Sequence, residues 1–264
     1  MKLPLIRIAT VTLLAFLAGA SSAHADTTFS VQYFAAPTGT GDFHNGGVPT
    51  DGVTDLNYVQ AQLGPNFLPV FVGSTFDNDG NQTLGVGNAY LDKNGQILYW
   101  TASPTTGIVS AGNGTIDFST LPNNTASMFV SAPLNTAPGT NSVYEETAIL
   151  TGTFITPANS TTPVQFTVGA DDEAFVYLDG TLIETLAGIH GLTPGPSDLV
   201  NVGGGTHTVQ IFYADQDVTN AQLSFSVTPG ISTLSITPTP EPGTLVLLGT
   251  GLVGAAGAIR RRIR

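Results

Sequence analysis

Apolar and polar residues alternate along several short stretches of the chain, which is the pattern of half-buried β-strands. The apolar positions of these stretches fall on one face, and Thr, Gln and Ser fill most of the other. We therefore expect antiparallel strands with one side in water. No stretch between the two ends has helical periodicity, so the pattern predicts an all-β body. The predicted strands include residues 26–36, 146–157, 164–170, 174–178, 206–215 and 221–227.

Turn signals separate these strands. Residues 164–180 (VQFTVGADDEAFVYLDG) predict a strand, a tight acidic turn at Asp171, Asp172 and Glu173, a second strand and a turn at Asp179-Gly180. Residues 88–100 predict a β-hairpin whose turn is Asp92-Lys93-Asn94-Gly95.

The charge is distributed very unevenly along the sequence. Eighteen of the nineteen acidic residues lie between Asp26 and Asp217, where Lys93 is the one basic residue, so this body carries a net charge of −17. Phosphate binding needs Lys and Arg, so we expect no nucleic-acid partner. Cations such as Ca²⁺ and neutral polar polymers are more suitable ligands. The chain has no cysteine, which fits an exported protein that folds without disulfides.

The first 25 residues predict a signal peptide. Lys2 and Arg7 precede an apolar run, and Ala23-His24-Ala25 supplies the small residues of a cleavage site. An uncleaved N-terminal membrane anchor is the alternative, which the shortness of the apolar run disfavours.

A second apolar segment follows a Pro- and Thr-rich linker at 231–242. Residues 243–264 contain an uncharged stretch long enough to cross a membrane, closed by an arginine cluster that predicts a cytoplasmic end. The order of a Pro-Glu-Pro triplet, an apolar helix and an arginine cluster resembles the PEP-CTERM sorting signal of Gram-negative bacteria. The resemblance implies an inner-membrane intermediate, cleavage by an exosortase-type membrane protease, and delivery to the cell surface or extracellular matrix. A plain single-pass anchor is the alternative. The residues that carry this signal are Pro240, Glu241, Pro242, Arg260, Arg261 and Arg262.

Other metal and catalytic patterns are weak. Asp77, Asp79 and Asn81 resemble the start of an EF-hand loop, but Gln82 stands where the loop needs Gly and Asn88 where it needs Glu, which favours a polar turn. The histidines of the body are not at metal-ligand spacing from one another, so we expect no zinc site. The chain has neither a Gly-x-Ser-x-Gly motif nor a cysteine nucleophile, so we expect no enzyme.

The body (26–230) resembles the protective-antigen-type β-sandwich and the related fibro-slime domain, most clearly over 150–228. The motifs are F-x-V-x-A-Asp-Asp, V-Y-L-Asp-Gly, and Gly-Gly-Gly-x-His before a strand. The resemblance implies an antiparallel, jelly-roll-like β-sandwich. In some members an adjacent Asp pair binds Ca²⁺, which in turn binds sugar hydroxyls. That pair would be Asp171 and Asp172, and the sequence pattern adds Asp215, Asp217 and Asn220 as weaker candidate ligands. Alternatively, the Asp pair serves only to shape the turn.

Three functions follow from these observations. The first is a non-catalytic, exported matrix protein that binds extracellular polysaccharide through Ca²⁺. The second is a purely structural matrix or biofilm protein with no specific ligand. The third, an extracellular glycoside-active enzyme, has the least support, because one Trp and one Lys are few residues with which to position a sugar.

Overall fold

The computed structural model describes residues 27–38, 58–72, 90–129, 144–216, 220–228 and 234–239. Within these ranges the regular secondary structure is β-strand, apart from two short 3₁₀ turns at Phe118–Thr120 and Pro122–Asn124. No helix of the described residues is long and apolar enough to span a membrane. The predicted signal peptide (1–25) and membrane helix (243–264) lie outside these ranges. The strands are β1 (Thr28–Pro37), β2 (Val109–Asp117), β3 (Thr125–Ser127), β4 (Tyr144–Thr156), β5 (Thr162–Val164), β6 (Phe166–Asp171), β7 (Glu173–Leu178), β8 (Thr181–Leu186), β9 (Gly195–Pro196), β10 (Val200–Val202), β11 (Gly205–Ala214), β12 (Gln222–Val227) and β13 (Thr237–Pro238).

The main strands form two antiparallel sheets. The larger has the order β2-β1-β4-β11-β7-β8, with β13 also paired to β4, and the smaller has the order β3-β12-β6-β9. Strands β5 and β10 form a separate pair. The predicted all-β, antiparallel body is thus confirmed.

The two sheets share one hydrophobic core. The ring of Phe225 on the small sheet lies 4.9 Å from that of Phe29 on the large sheet and 5.1 Å from that of Phe166 beside it. Val31, Leu150, Ile211 and their neighbours complete this core from the inner face of the large sheet. The sheets therefore pack face to face as a β-sandwich.

The outer face of the large sheet is also covered over β7 and β11, contrary to the prediction that one side of the strands lies in water. Segments 58–72 and 90–108 form this covering layer, which we call the outer cover. Beneath it, Phe175, Tyr177 and Phe212 point outward from β7 and β11 and are fully buried. Trp100 anchors this cover: its ring lies 5.1 Å from that of Phe212, and its Nε1–H donates a 2.6 Å hydrogen bond to the carbonyl oxygen of Tyr213. The continuous apolar run Ile211 to Ala214 is typical of a strand buried on both faces.

The predicted hairpin at 88–100 is present in reduced form. The turn is closed by a 3.0 Å hydrogen bond from the Gly95 N–H to the Asp92 carbonyl oxygen. Beyond it, a single bridge joins Leu91 and Ile97 in place of a ladder. Tyr99 and Trp100 instead pack inward on the large sheet, so burial of these rings takes the place of strand pairing.

Two of the connections between the sheets carry acidic residues. The acidic turn joins β6 of the small sheet to β7 of the large sheet, and the segment 215–221 joins β11 of the large sheet to β12 of the small one. Although β12 follows β11 in the sequence, it pairs with β3 and β6. Both crossings lie at one end of the sandwich, and they bring distant acidic residues together there.

Candidate functional site

The acidic turn is buried. β6 ends at Asp171, β7 begins at Glu173, and the peptide bond between Asp171 and Asp172 is cis. The exposed fractions are 8% for Asp171, 2% for Asp172 and 0% for Glu173. Carboxyl groups are seldom buried to this degree, so this turn differs from an ordinary solvated loop.

Three more carboxyl groups lie at the same end. Glu145 and Glu146 are the second and third residues of β4, and Asp215 directly follows β11. All three side chains are at most 1% exposed. The Asp215 N–H donates a 2.8 Å hydrogen bond to the Glu146 carbonyl oxygen, and Ala214 pairs with Glu173 across the sheet. We call this set the acidic end; its members are Glu145, Glu146, Asp171, Asp172, Glu173 and Asp215.

A tyrosine hydroxyl lies among these groups. The Tyr213 hydroxyl donates a 2.5 Å hydrogen bond to the Asp171 carbonyl oxygen. Burial raises the pKa of Tyr213 well above its usual value, and the nearby negative charges raise it further. The carboxyl groups that act on this one hydroxyl are, in decreasing order, those of Asp215, Asp172, Asp171 and Glu146.

Asp172 also holds the backbone of two loops. One carboxylate oxygen accepts the N–H of His190 at 3.2 Å, and the other accepts the N–H of Gln216 at 2.8 Å. Because each bond spans at least 18 residues of sequence, Asp172 fixes the loop before β9 and the segment after β11 to the acidic turn. Its carboxylate therefore has a structural role, whatever else it binds.

The structure brings most of the candidate body residues to one place. Asp171, Asp172 and Asp215 lie at the acidic end, and the exposed Asn220 lies two residues before Gln222, which pairs with Asp171. The remaining predicted residues lie outside the described ranges: Asp217, the sorting residues Pro240, Glu241, Pro242, Arg260, Arg261 and Arg262, and the cleavage residues Ala23 and Ala25.

Sequence reasoning missed Glu145 and Glu146 as members of this site. The adjacent Glu pair at the start of a predicted strand was visible, but nothing local indicates that it is buried. That follows from the pairing of β4 with β11, in which Thr147 lies opposite Ala214.

The donor set fits the chemistry of Ca²⁺, which prefers carboxylate and carbonyl oxygens. In the part of the chain that the structure describes, however, no group of three or more His, Asp or Glu side chains has the arrangement of a metal site. Asp171 and Asp172 are adjacent carboxylates, and no third His, Asp or Glu side chain of the described residues completes a metal-site arrangement with them.

A different pair of charged groups lies at the opposite end of β7. His207 Nδ1 is 2.6 Å from Asp179 Oδ2, and the Thr208 N–H donates a 2.8 Å bond to Asp179 Oδ1. The His207 ring packs against Phe154, with ring centroids 5.2 Å apart. Burial works to lower the pKa of His207, but hydrogen bonds to Asp179 and the Gly203 carbonyl, together with the Asp179 charge, raise it overall. His207 thus packs against β4 near the start of β11.

Comparisons with solved structures give only distant likenesses. A PA14 sugar-binding domain from an RTX adhesin matches with 23% identity over 35% of this chain and 50% of its own, at a TM-score of 0.29. The PA14 domain of an antifreeze protein matches with 14% identity over 37% and 55%, also at 0.29. A β-glucosidase from Kluyveromyces marxianus matches with 15% identity over 34% and 12%, at 0.27. The match thus spans about half the length of the first two structures, and at these TM-scores none of the three identifies a ligand or an activity for this chain.

Comparisons of sequence give one match. No curated protein matches the chain. Residues 238–262 match the PEP-CTERM protein-sorting motif, as the Pro-Glu-Pro triplet and arginine cluster predict. The chain therefore carries a PEP-CTERM sorting signal, the mark of an exported protein destined for the cell surface or extracellular space.

Proposed function

We propose that this chain is processed by an exosortase-type membrane protease. The exported β-sandwich body binds Ca²⁺ at the acidic end, and the bound Ca²⁺ in turn binds a neutral extracellular polysaccharide. The sorting motif at 238–262 supports the processing and the destination. Residues 150–228 resemble the protective-antigen-type β-sandwich, some members of which bind sugars through Ca²⁺, and this resemblance supports the ligand class.

The observation that carries the calcium proposal is the burial of six carboxyl groups at one end of a body that has a single basic residue. Removing an ionised carboxylate from water is costly unless positive charge accompanies it. Between Asp26 and Asp217 the sequence offers only Lys93, which lies in the turn at 92–95, on the outer cover. A cation from solution would supply positive charge here, and extracellular modules bind Ca²⁺ at the concentrations found outside cells.

Asp171 and Asp172 would supply the first carboxylate ligands, with Asp215 beside them. When bound, Ca²⁺ supplies positive charge to this end and coordination positions for sugar hydroxyls. The net charge of −17 repels polyanions, so a neutral polysaccharide is the more suitable partner.

The proposal is tested by retention of the full-length chain on insoluble neutral polysaccharides, in Ca²⁺ and in EDTA. We expect retention in Ca²⁺ that is lost in EDTA and in an Asp171→Asn, Asp172→Asn double variant. Asp198→Asn, which changes an exposed carboxyl on the same body, is the matched control and should be retained like the parent. Retention that is unchanged by EDTA and by the double variant would contradict the proposal.

One observation favours a second function, that of a structural matrix protein without a ligand. Both carboxylate oxygens of Asp172 already accept backbone N–H groups. In that case the chain is not retained on any polysaccharide, with or without Ca²⁺, and Asp172→Asn lowers the free energy of unfolding by about 1–3 kcal/mol because two hydrogen bonds to a charged group are weakened.

A further inference from the structure

A separate pocket lies at the other end of the large sheet. Its volume is about 370 Å³, within the range of small-molecule sites, and its walls include Gln62, Phe67, Asp179, Thr208 and Gln210. β7 separates it from the acidic end: six residues of strand place Asp179 about 20 Å from the acidic turn.

Phe67 is the unusual member of this pocket. Its side chain is 73% exposed, and its backbone φ is +58°. The other described non-glycine residues with positive φ are Asn or Asp, which adopt this conformation readily, whereas a bulky residue does so at a cost. The next residue, Leu68, is buried, so the turn directs one apolar side chain inward and an aromatic ring into water.

The turn that presents Phe67 is held firmly. The Phe67 N–H donates to the Gly64 carbonyl oxygen at 2.9 Å, and the Gly64 N–H donates to the Leu68 carbonyl oxygen at 2.8 Å. The Asn66 N–H donates to Gln96 Oε1 at 2.8 Å, and Gln96 is fully buried. The exposed ring is therefore preorganised, which reduces the entropy lost when a ligand binds to it.

Polar side chains line part of the pocket beside the ring, and Asp179 is the one acidic residue among those that line it. Gln62 is exposed and donates a 2.9 Å hydrogen bond through Nε2 to Thr181 Oγ1, and Gln210 is half-buried on β11. The Asp179 carboxylate is fixed by Thr208 and His207. Two amides and one oriented carboxylate offer both donors and acceptors to a neutral, hydroxyl-rich molecule.

We infer that this pocket is a calcium-independent binding site for a neutral saccharide. The apolar C–H face of a sugar ring would stack on Phe67, and its hydroxyl groups would bond to Gln62, Gln210 and Asp179. Anionic ligands are disfavoured by Asp179 and by the charge of the body. This site shares no residue with the acidic end and does not depend on the function proposed above.

The test is a calorimetric titration of neutral hexasaccharides of glucose, galactose and mannose into the full-length chain. The buffer contains EDTA and a detergent without a sugar headgroup, so that neither Ca²⁺ nor detergent contributes. We expect one of the three series to bind and Phe67→Gly to weaken that binding at least tenfold. Phe67→Tyr, which keeps the ring, should stay within threefold of the parent. Ile155→Ala, which truncates an apolar side chain of equal exposure (74%) elsewhere, should leave binding unchanged.

Loss of binding through unfolding is distinguished by thermal melting. Glycine accepts positive φ without strain, so Phe67→Gly should melt no lower than the parent. The inference is overturned if none of the hexasaccharides binds in EDTA, or if binding is the same in the parent and in Phe67→Gly. Binding that needs Ca²⁺ and is lost on substitution of the Asp171-Asp172 pair would also overturn it, while supporting the function proposed for the acidic end.

Discussion

Replacement of Trp100 by Phe should destabilise the whole body, because Trp100 joins the outer cover to the large sheet. The side chain is 2% exposed, its Nε1–H bonds to the Tyr213 carbonyl oxygen at 2.6 Å, and its ring packs edge-on against Phe212. The smaller Phe keeps the aromatic contact, loses the hydrogen bond and leaves a small cavity.

The expected magnitude follows from these two losses. The hydrogen bond contributes about 1 kcal/mol, and the apolar area and packing lost with the larger ring contribute about 1–2 kcal/mol. The free energy of unfolding should therefore fall by about 2–3 kcal/mol, which lowers the Tm by about 5–10 °C for a body of this size.

Urea unfolding of the full-length chain measures this effect. Trp100 is the one tryptophan of the sequence, so its fluorescence reports the outer cover in the parent, while far-UV circular dichroism reports the sheets in both proteins. We expect the two transitions of the parent to coincide, since the cover packs directly on buried residues of the large sheet. A fluorescence transition well below the circular dichroism transition, or a loss under 0.5 kcal/mol in Trp100→Phe, would refute the reasoning. Ile155→Ala is the surface control and should change stability by no more than about 0.5 kcal/mol.

Three further predictions concern pH and backbone packing. Burial raises the pKa of Glu184 to about 7, so the free energy of unfolding should fall as pH rises from about 4.5 to 7. Because Glu184 is half-exposed, the loss should be limited to about 1 kcal/mol. Urea unfolding at pH 5 and 7.5 should show this loss in the parent and not in Glu184→Gln. The raised pKa of His207 has the same sign: its ion pair stabilises the fold fully below about pH 6.5 and is lost as pH rises through the folded-state pKa. His207→Gln should remove about 0.5 kcal/mol at pH 5.5, and an NMR titration of the parent that puts the imidazole pKa at or below 6.5 would contradict this. A Cβ on Gly204 would overlap the Pro157 carbonyl oxygen, so Gly204→Ala should lower the free energy of unfolding by about 2 kcal/mol, measured by thermal melting. A Cβ on Gly203 meets nothing within 4 Å, so Gly203→Ala should lower it by less than about 0.5 kcal/mol. Equal losses in the two variants would rule out the steric explanation.

The strands could be predicted from the sequence because their signal is local. Alternation marks β1, β4, β6, β11 and β12 to within a few residues of their observed bounds. Sheet membership is not local: the consecutive strands β11 and β12 belong to different sheets. The outer cover was missed, because segments 58–72 and 90–108 bury scattered aromatic residues without a periodic pattern.

Some residues of the candidate sites are indicated by local sequence motifs, and others come together only through the fold. The adjacent pair Asp171 and Asp172 and the Pro-Glu-Pro triplet are short motifs, so the sequence alone indicates them. Glu146 joins the acidic end only through the register of β4 with β11. The pocket at Phe67 likewise depends on contact between residues more than 100 positions apart, as in the hydrogen bond of Gln62 to Thr181.

The central claim is that the acidic end binds Ca²⁺, and the most direct test is a calorimetric titration of Ca²⁺ into the full-length chain with thermal melting alongside. We expect a saturable heat and a rise in Tm, because a ligand that binds only the folded state stabilises it. Both should be absent in the Asp171→Asn, Asp172→Asn double variant and unchanged in Asp198→Asn. No heat and no change in Tm for the parent chain would contradict the claim and leave the Asp pair as turn residues.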